Sequence, residues 1–101
     1  MSKGDEDMTA LVIGADYLGA IEQKMRARGV TEIAHITGRN PGEIKKVNIP
    51  KTTGFVLVFT DYINHNMAKA VKDHAKARSV PLVYAKRSWS AVERKLAGLG
   101  L

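Results

Sequence analysis

The chain of 101 residues contains no cysteine. That absence excludes a disulfide scaffold, a thiolate zinc site, an iron–sulfur cluster and a thiol nucleophile. No apolar stretch approaches the roughly 20 residues a membrane helix needs, so no membrane partner is expected. The opening residues, MSKGDED, are polar and acidic, unlike a secretory signal peptide, and a cytoplasmic protein is expected. Aromatic residues make up only 6% of the chain, too few to interleave with its basic residues as a nucleic-acid surface would want.

What is present describes an ordinary small globular protein. The chain is 45% hydrophobic and 26% charged, which rules out a disordered chain, a collagen and a repeat array. Its length suits one unit, since folding domains run roughly 50 to 200 residues. Residues 1–7 are expected as a disordered acidic tail and 8–101 as a single Rossmann-like domain. There are 16 basic residues against 10 acidic ones, a net charge of +6 and a pI of about 9.8. Asp5, Glu6 and Asp7 all lie in the tail, so the remainder is more basic still.

Four short apolar runs predict strands: Thr9–Ile13, Glu32–Thr37, Phe55–Phe59 and Pro81–Ala85. They are β-branched or aromatic and do not alternate strictly, as strands covered on both faces do. Helical spacing separates them. Leu18, Ile21 and Met25 recur before a stop at Gly29. Ile63, Met67, Val71 and His74 predict a packed stripe, which makes His74 a packing or interface residue. Lys69, Lys72 and Lys76 form the opposite, solvated stripe. Trp89, Val92, Leu96 and Leu99 share a face, Ser90 and Glu93 have capping-box spacing, and Gly98 and Gly100 are expected to fray the end. The segment 38–54, with Pro41, Gly42, Pro50 and Gly54, predicts a loop with at most a short helix over 41–47.

The order is strand and helix in alternation. It predicts an α/β fold, a small Rossmann-like doubly wound parallel sheet of four strands in the order 2-1-3-4. Such a sheet has thin cover, so a homodimer or higher homo-oligomer is expected.

Ligands bind open parallel sheets outside the carboxyl ends of the strands, where strand order reverses. All four predicted ends carry distinctive residues. Gly14, Asp16 and Tyr17 follow the first strand. Gly38, Arg39 and Asn40 follow the second. Thr60, Asp61, Asn64 and His65 follow the third, and Lys86, Arg87 and Ser88 the fourth. The opposite ends carry plainer connectors. Arg39, Lys86 and Arg87 would pair with an anionic ligand, Asp61, Asn64 and His65 would orient it, and Tyr17 would wall it. Cations before a helix add to the exposed N–H groups of its first turn. His65, in a first helical turn near this edge, is the candidate metal or haem ligand. His35, inside an apolar strand, is expected to be buried and hydrogen-bonded.

Familiar enzyme motifs are broken. Gly14-Ala-Asp-Tyr-Leu-Gly19 places Asp16 where a dinucleotide fingerprint needs its middle glycine, and a carboxylate there repels a pyrophosphate, which argues against NAD. The same stretch lacks the Lys and Ser/Thr of a P-loop. Ser88, His65 and Asp61 lack a nucleophile elbow. Asp16, Asp61 and Lys86 share the layout of a phospho-receiver, but the chain has four strands and no acidic pair. No catalytic residue is assigned, and a binding protein is expected rather than an enzyme.

The strings LVIGADYLGAIEQKMRARGV, HITGR, VLVFTDYINHNMAKAVKDHAKARSVP and AKRSWSAVERKL resemble the bacterial domain of unknown function 2325 over residues 9–97. Its most specific parts here are Thr60, Asp61, Asn64 and His65, and Arg87-Ser88-x-Ser90. The resemblance implies a Rossmann-like fold in a largely uncharacterised family. Many relatives carry cysteines near the first of these segments, where this chain has Tyr62 and Ala75. A thiolate metal site therefore does not transfer. Three functions follow as expectations: binding of a small phosphate- or carboxylate-bearing ligand; haem, tetrapyrrole or metal binding through His65; and a basic interaction module for nucleic acid or a protein partner.

Overall fold

The computed structural model describes residues 8–37, 51–62 and 65–101. Strand β1 spans Thr9–Ile13, helix α1 Ala20–Ala27 and strand β2 Glu32–Ile36. Strand β3 spans Thr53–Phe59 and runs into a 3-10 turn at Thr60–Tyr62. Helix α2 spans His65–Ala77, β4 Leu82–Ala85 and α3 Trp89–Gly98. The four strands form one parallel sheet in the order β2-β1-β3-β4, as their alternation with helices predicts. The expected acidic tail, the short helix over 41–47 and Ile63 lie outside the described residues. No helix among the described residues is long and apolar enough to cross a membrane.

The sheet is wound on both faces. Ala10 and Val12 of β1 and Phe55, Leu57 and Phe59 of β3 pack under α1 and α3. Leu11, Ile13, Val56 and Val58 pack under α2. Every residue of β1 is buried, so apolar residues on both sides of its pleat are required and strict alternation is absent. Each fully buried large side chain, such as Phe55 or Met25, contributes about 1.5–3 kcal/mol. The β1–β3 register slips between Thr9 and Ala10, with Thr53 and Phe55 as their successive partners. Gly54 fills the slip: a Cβ there would lie 2.9 Å from Met8 Cγ.

Three helix-level expectations change. Helix α2 buries Met67, Val71 and Ala75, while His74 is exposed. The helix rests on the i, i+4, i+8 row, and His74 sits at its rim, where a polar ring can turn to water. Ser88, rather than Ser90, caps α3. Its Oγ accepts from Ala91 N–H at 3.3 Å, so the capping box has no role, and Glu93 instead pairs with Arg28 of α1.

The end of α3 is closed rather than frayed. All three described helices finish in the same left-handed turn. Val30 N–H reaches back to Met25 O, Val80 N–H to Ala75 O and Leu101 N–H to Leu96 O. The residues before them are Gly29, Ser79 and Gly100, with φ of 108°, 57° and 88°. This is the Schellman arrangement, in which the residue after the turn drops back onto the helix it has just left. Val30 is buried, and Val80 and Leu101 pack against the two cores. Ser79 alone carries a side chain in the left-handed position. Ser79→Gly should therefore raise stability by about 0.5–1 kcal/mol, and Gly29→Ala should lower it by about 1 kcal/mol. Urea titration of both variants measures these changes, and a destabilised Ser79→Gly would contradict the strain assignment.

Candidate functional site

Strand order reverses between β1 and β3, because β1 connects outward to β2 and β3 outward to β4. Their carboxyl ends approach closely. Gly14 is buried, its N–H donates to Ile36 O at 2.8 Å, and its φ is 108°. A Cβ at Gly14 would lie 3.1 Å from both Phe59 Cβ and Phe59 O. Contact as well as conformation favours glycine here. Ala15 follows in the left-handed region at φ 64° and is buried too. Two consecutive left-handed residues turn the chain sharply out of β1 toward the face that carries α1.

That turn is gripped from two sides. On one side stands His35, directly beside Val12 in the β1–β2 register and therefore on the α1 face. Its Nε2 is 2.9 Å from both Gly14 O and Ala15 O. Both neighbours are acceptors, so Nε2 must carry the proton and share it between them. The expectation of a hydrogen-bonded His35 holds, but the ring is half-buried rather than buried, and its partners belong to the carboxyl edge of the sheet. Sequence reasoning missed this placement. The signal available was position: His35 is the penultimate residue of a strand next to β1 and shares a face with the turn.

On the other side stands Arg87, between β4 and α3. Its Nε donates to Tyr17 O at 2.7 Å, and its Nη2 would be 3.5 Å from a Cβ on Gly19. Arg87 thus reaches back over the turn to the first βα loop. Neither ion pair among the described residues involves it: these are Arg26 with Glu22 and Arg28 with Glu93. Behind it, the N–H groups of Trp89 and Ser90 open α3 and have no acceptor inside the helix. Ser88 Oγ is committed to Ala91 N–H, and Val92 N–H bonds Ser88 O at 3.0 Å.

The remaining candidates separate by place. Tyr17 is exposed, at 79% of its full surface, on the same loop. Asp16 beside it is also exposed, as is Lys86 between β4 and α3. Asp16 has an interaction partner. Thr60 and Asp61 continue directly from Phe59 and are exposed, and His65 is exposed as the first residue of α2. Gly38, Arg39, Asn40 and Asn64 lie outside the described residues. Among the described residues no group of three or more histidine or acidic side chains gathers as a metal site would.

The other basic residues also divide. Lys69, Lys72 and Lys76 are exposed on α2, as the solvated stripe predicts. Lys24 and Arg28 are not merely solvated surface. Lys24 Nζ and Arg28 Cζ each lie 5.8 Å from the Trp89 ring centroid, and Arg28 also donates to Leu101 O and pairs with Glu93. These contacts tie α1 to α3 through cation–π attraction and a short ion-pair link. Trp89, half-buried, packs on the core under this pair rather than lining a ligand wall.

A family model described as an uncharacterized protein conserved in bacteria (DUF2325) matches residues 9–99, all four strands included. No curated protein and no solved structure matches the chain.

Gly14→Ala combines left-handed strain with overlap against Phe59, and should cost about 2–4 kcal/mol. Thermal unfolding should register this as a drop of more than 8 °C, by the about 4–8 °C per kcal/mol typical of small domains. A variant melting at the temperature of the parent chain would show that the turn tolerates a side chain.

Proposed function

The chain belongs to the DUF2325 family of bacterial proteins, and from that premise we propose that it binds a small ligand bearing a phosphate or carboxylate group. The ligand's anionic end would sit at the carboxyl edge of the sheet, between the β1–α1 loop and the start of α3. The observation that carries this reading is Arg87. Its Nε is held by the Tyr17 carbonyl, which orients the guanidinium without neutralising it. A carbonyl costs the arginine one donor and none of its charge, whereas a carboxylate would spend the charge. Such an arginine is preorganised for an incoming anion.

Neighbouring groups complement it. The first-turn N–H groups of Trp89 and Ser90 add partial positive charge, and Lys86 adds a mobile cation at the rim. Tyr17 supplies an exposed flat surface for an apolar portion of the ligand. Asp61 and His65, exposed on the β3 side of the strand reversal, would accept from or donate to the ligand's polar groups. The described side chains supply no nucleophile with an adjacent base, so recognition rather than turnover is the activity this edge supports.

The test is ligand-induced thermal stabilisation with inorganic phosphate and with small carboxylates. At ten times Kd a bound ligand contributes about 1.4 kcal/mol, several degrees for a chain of this size. The unsubstituted chain should show that shift, Arg87→Ala should show none above its own baseline, and Arg87→Lys should keep a reduced one. A full shift in Arg87→Ala would remove Arg87 from the site.

A further inference from the structure

The β1–α1 turn is strained, and the site depends on it. Gly14 and Ala15 both occupy the left-handed region. Left to itself, Ala15 would favour ordinary backbone by about 1–3 kcal/mol. Something must therefore hold the turn in the shape that delivers the Tyr17 carbonyl to Arg87 two residues later. Phe59 and the Ile36 carbonyl hold Gly14, and Ala15 packs into the core. Among the described residues His35 also grips the turn: its Nε2 meets the carbonyls of both left-handed residues at 2.9 Å.

We propose, resting on the anion-binding reading of this edge, that His35 is a positioning residue of the site. By donating one shared Nε2–H to Gly14 O and Ala15 O, it holds the turn that presents the Tyr17 carbonyl to Arg87. The ring does not meet the ligand. It acts through two linked contacts, from His35 to the turn and from the turn to Arg87. The arginine is thus oriented from β2, with two strands, β1 and β3, between it and β4, the strand that precedes the arginine.

Three features favour this role over simple packing. The ring lies on the α1 face beside Val12, yet it is half-buried, so it does not fill the core as Val12 does. Its bonds are local to the two left-handed residues and to no others in the turn. The geometry also demands one proton position, on Nε2, which a packing role would not require.

The test uses the full chain and separates this proposal from the ligand reading. Long-range nitrogen–proton NMR of the unsubstituted protein should find the His35 proton on Nε2. A neutral ring protonated on Nδ1 alone would overturn the proposal without any variant. The Arg87 Nε–H signal, assigned by its loss in Arg87→Lys, should exchange slowly with water in the parent chain. His35→Ala should make that exchange fast, while His35→Gln, whose amide donor can reach the same carbonyls, should keep it slow.

In the same proteins, inorganic phosphate should bind about tenfold more weakly to His35→Ala, as expected if the competent turn is populated only about a tenth of the time. His35→Gln should recover most of that loss. Unchanged Arg87 exchange in His35→Ala, or equal losses in the Ala and Gln variants, would overturn the positioning role. If the parent chain shows no response to phosphate or carboxylates, the anion reading fails by itself, and the Arg87 exchange data still decide whether His35 orients the arginine.

Discussion

The contact between Gly14 and Phe59 constrains everything at the carboxyl edge. Parallel strands at the centre of a wound sheet diverge only after their last hydrogen bonds, and here β1 and β3 remain in touch at that point. A Cβ on Gly14 would lie 3.1 Å from Phe59 Cβ and O, so a side chain there would require Phe59 to give by a few tenths of an ångström. The chain leaves β1 through two left-handed residues and passes onto the α1 face. The loop that results is short, exposed at Asp16 and Tyr17, and supported from β2 and from the β4–α3 junction. Strain of this kind persists only where the surroundings over-determine it, and two independent hydrogen-bond anchors supply that over-determination.

The net charge of +6 looks at first like a nucleic-acid signal. Distribution over the fold gives it a different meaning. Lys69, Lys72 and Lys76 face water on one helix. Lys24 and Arg28 link α1 to α3 through Trp89 and Glu93. Arg87 has neither fate: among the described residues its partner is the neutral Tyr17 carbonyl. Where each basic residue sits matters more than their sum, because exposed charges far apart are screened within about 10 Å at moderate salt.

Below the site the architecture is built by repetition of a single local device. Each helix ends with a left-handed residue followed by an apolar one that returns to the core. Glycine occupies two of these positions and Ser79 the third. The turn geometry is therefore enforced by the burial of Val30, Val80 and Leu101, and glycine only lowers its cost. This explains why Gly100, at a position that reads as fraying, instead closes α3.

The sequence alone determined the four strands, the three described helices and the parallel order. Those follow from local apolar period and from the handedness of crossovers, which are properties of short stretches of chain. Arg87 and the Gly14–Gly19 turn were legible as edge residues for the same reason. Other features needed the folded chain. Whether Ser88 or Ser90 caps α3 depends on where the backbone leaves β4. Whether Lys24 and Arg28 are solvated depends on a tryptophan 61 or more residues away in sequence. His35 meets carbonyls 20 and 21 residues distant, and Arg87 meets one 70 residues distant. Period and composition carry no record of such pairs, because hydrogen bonds between distant segments are set by sheet register and by the face each side chain takes.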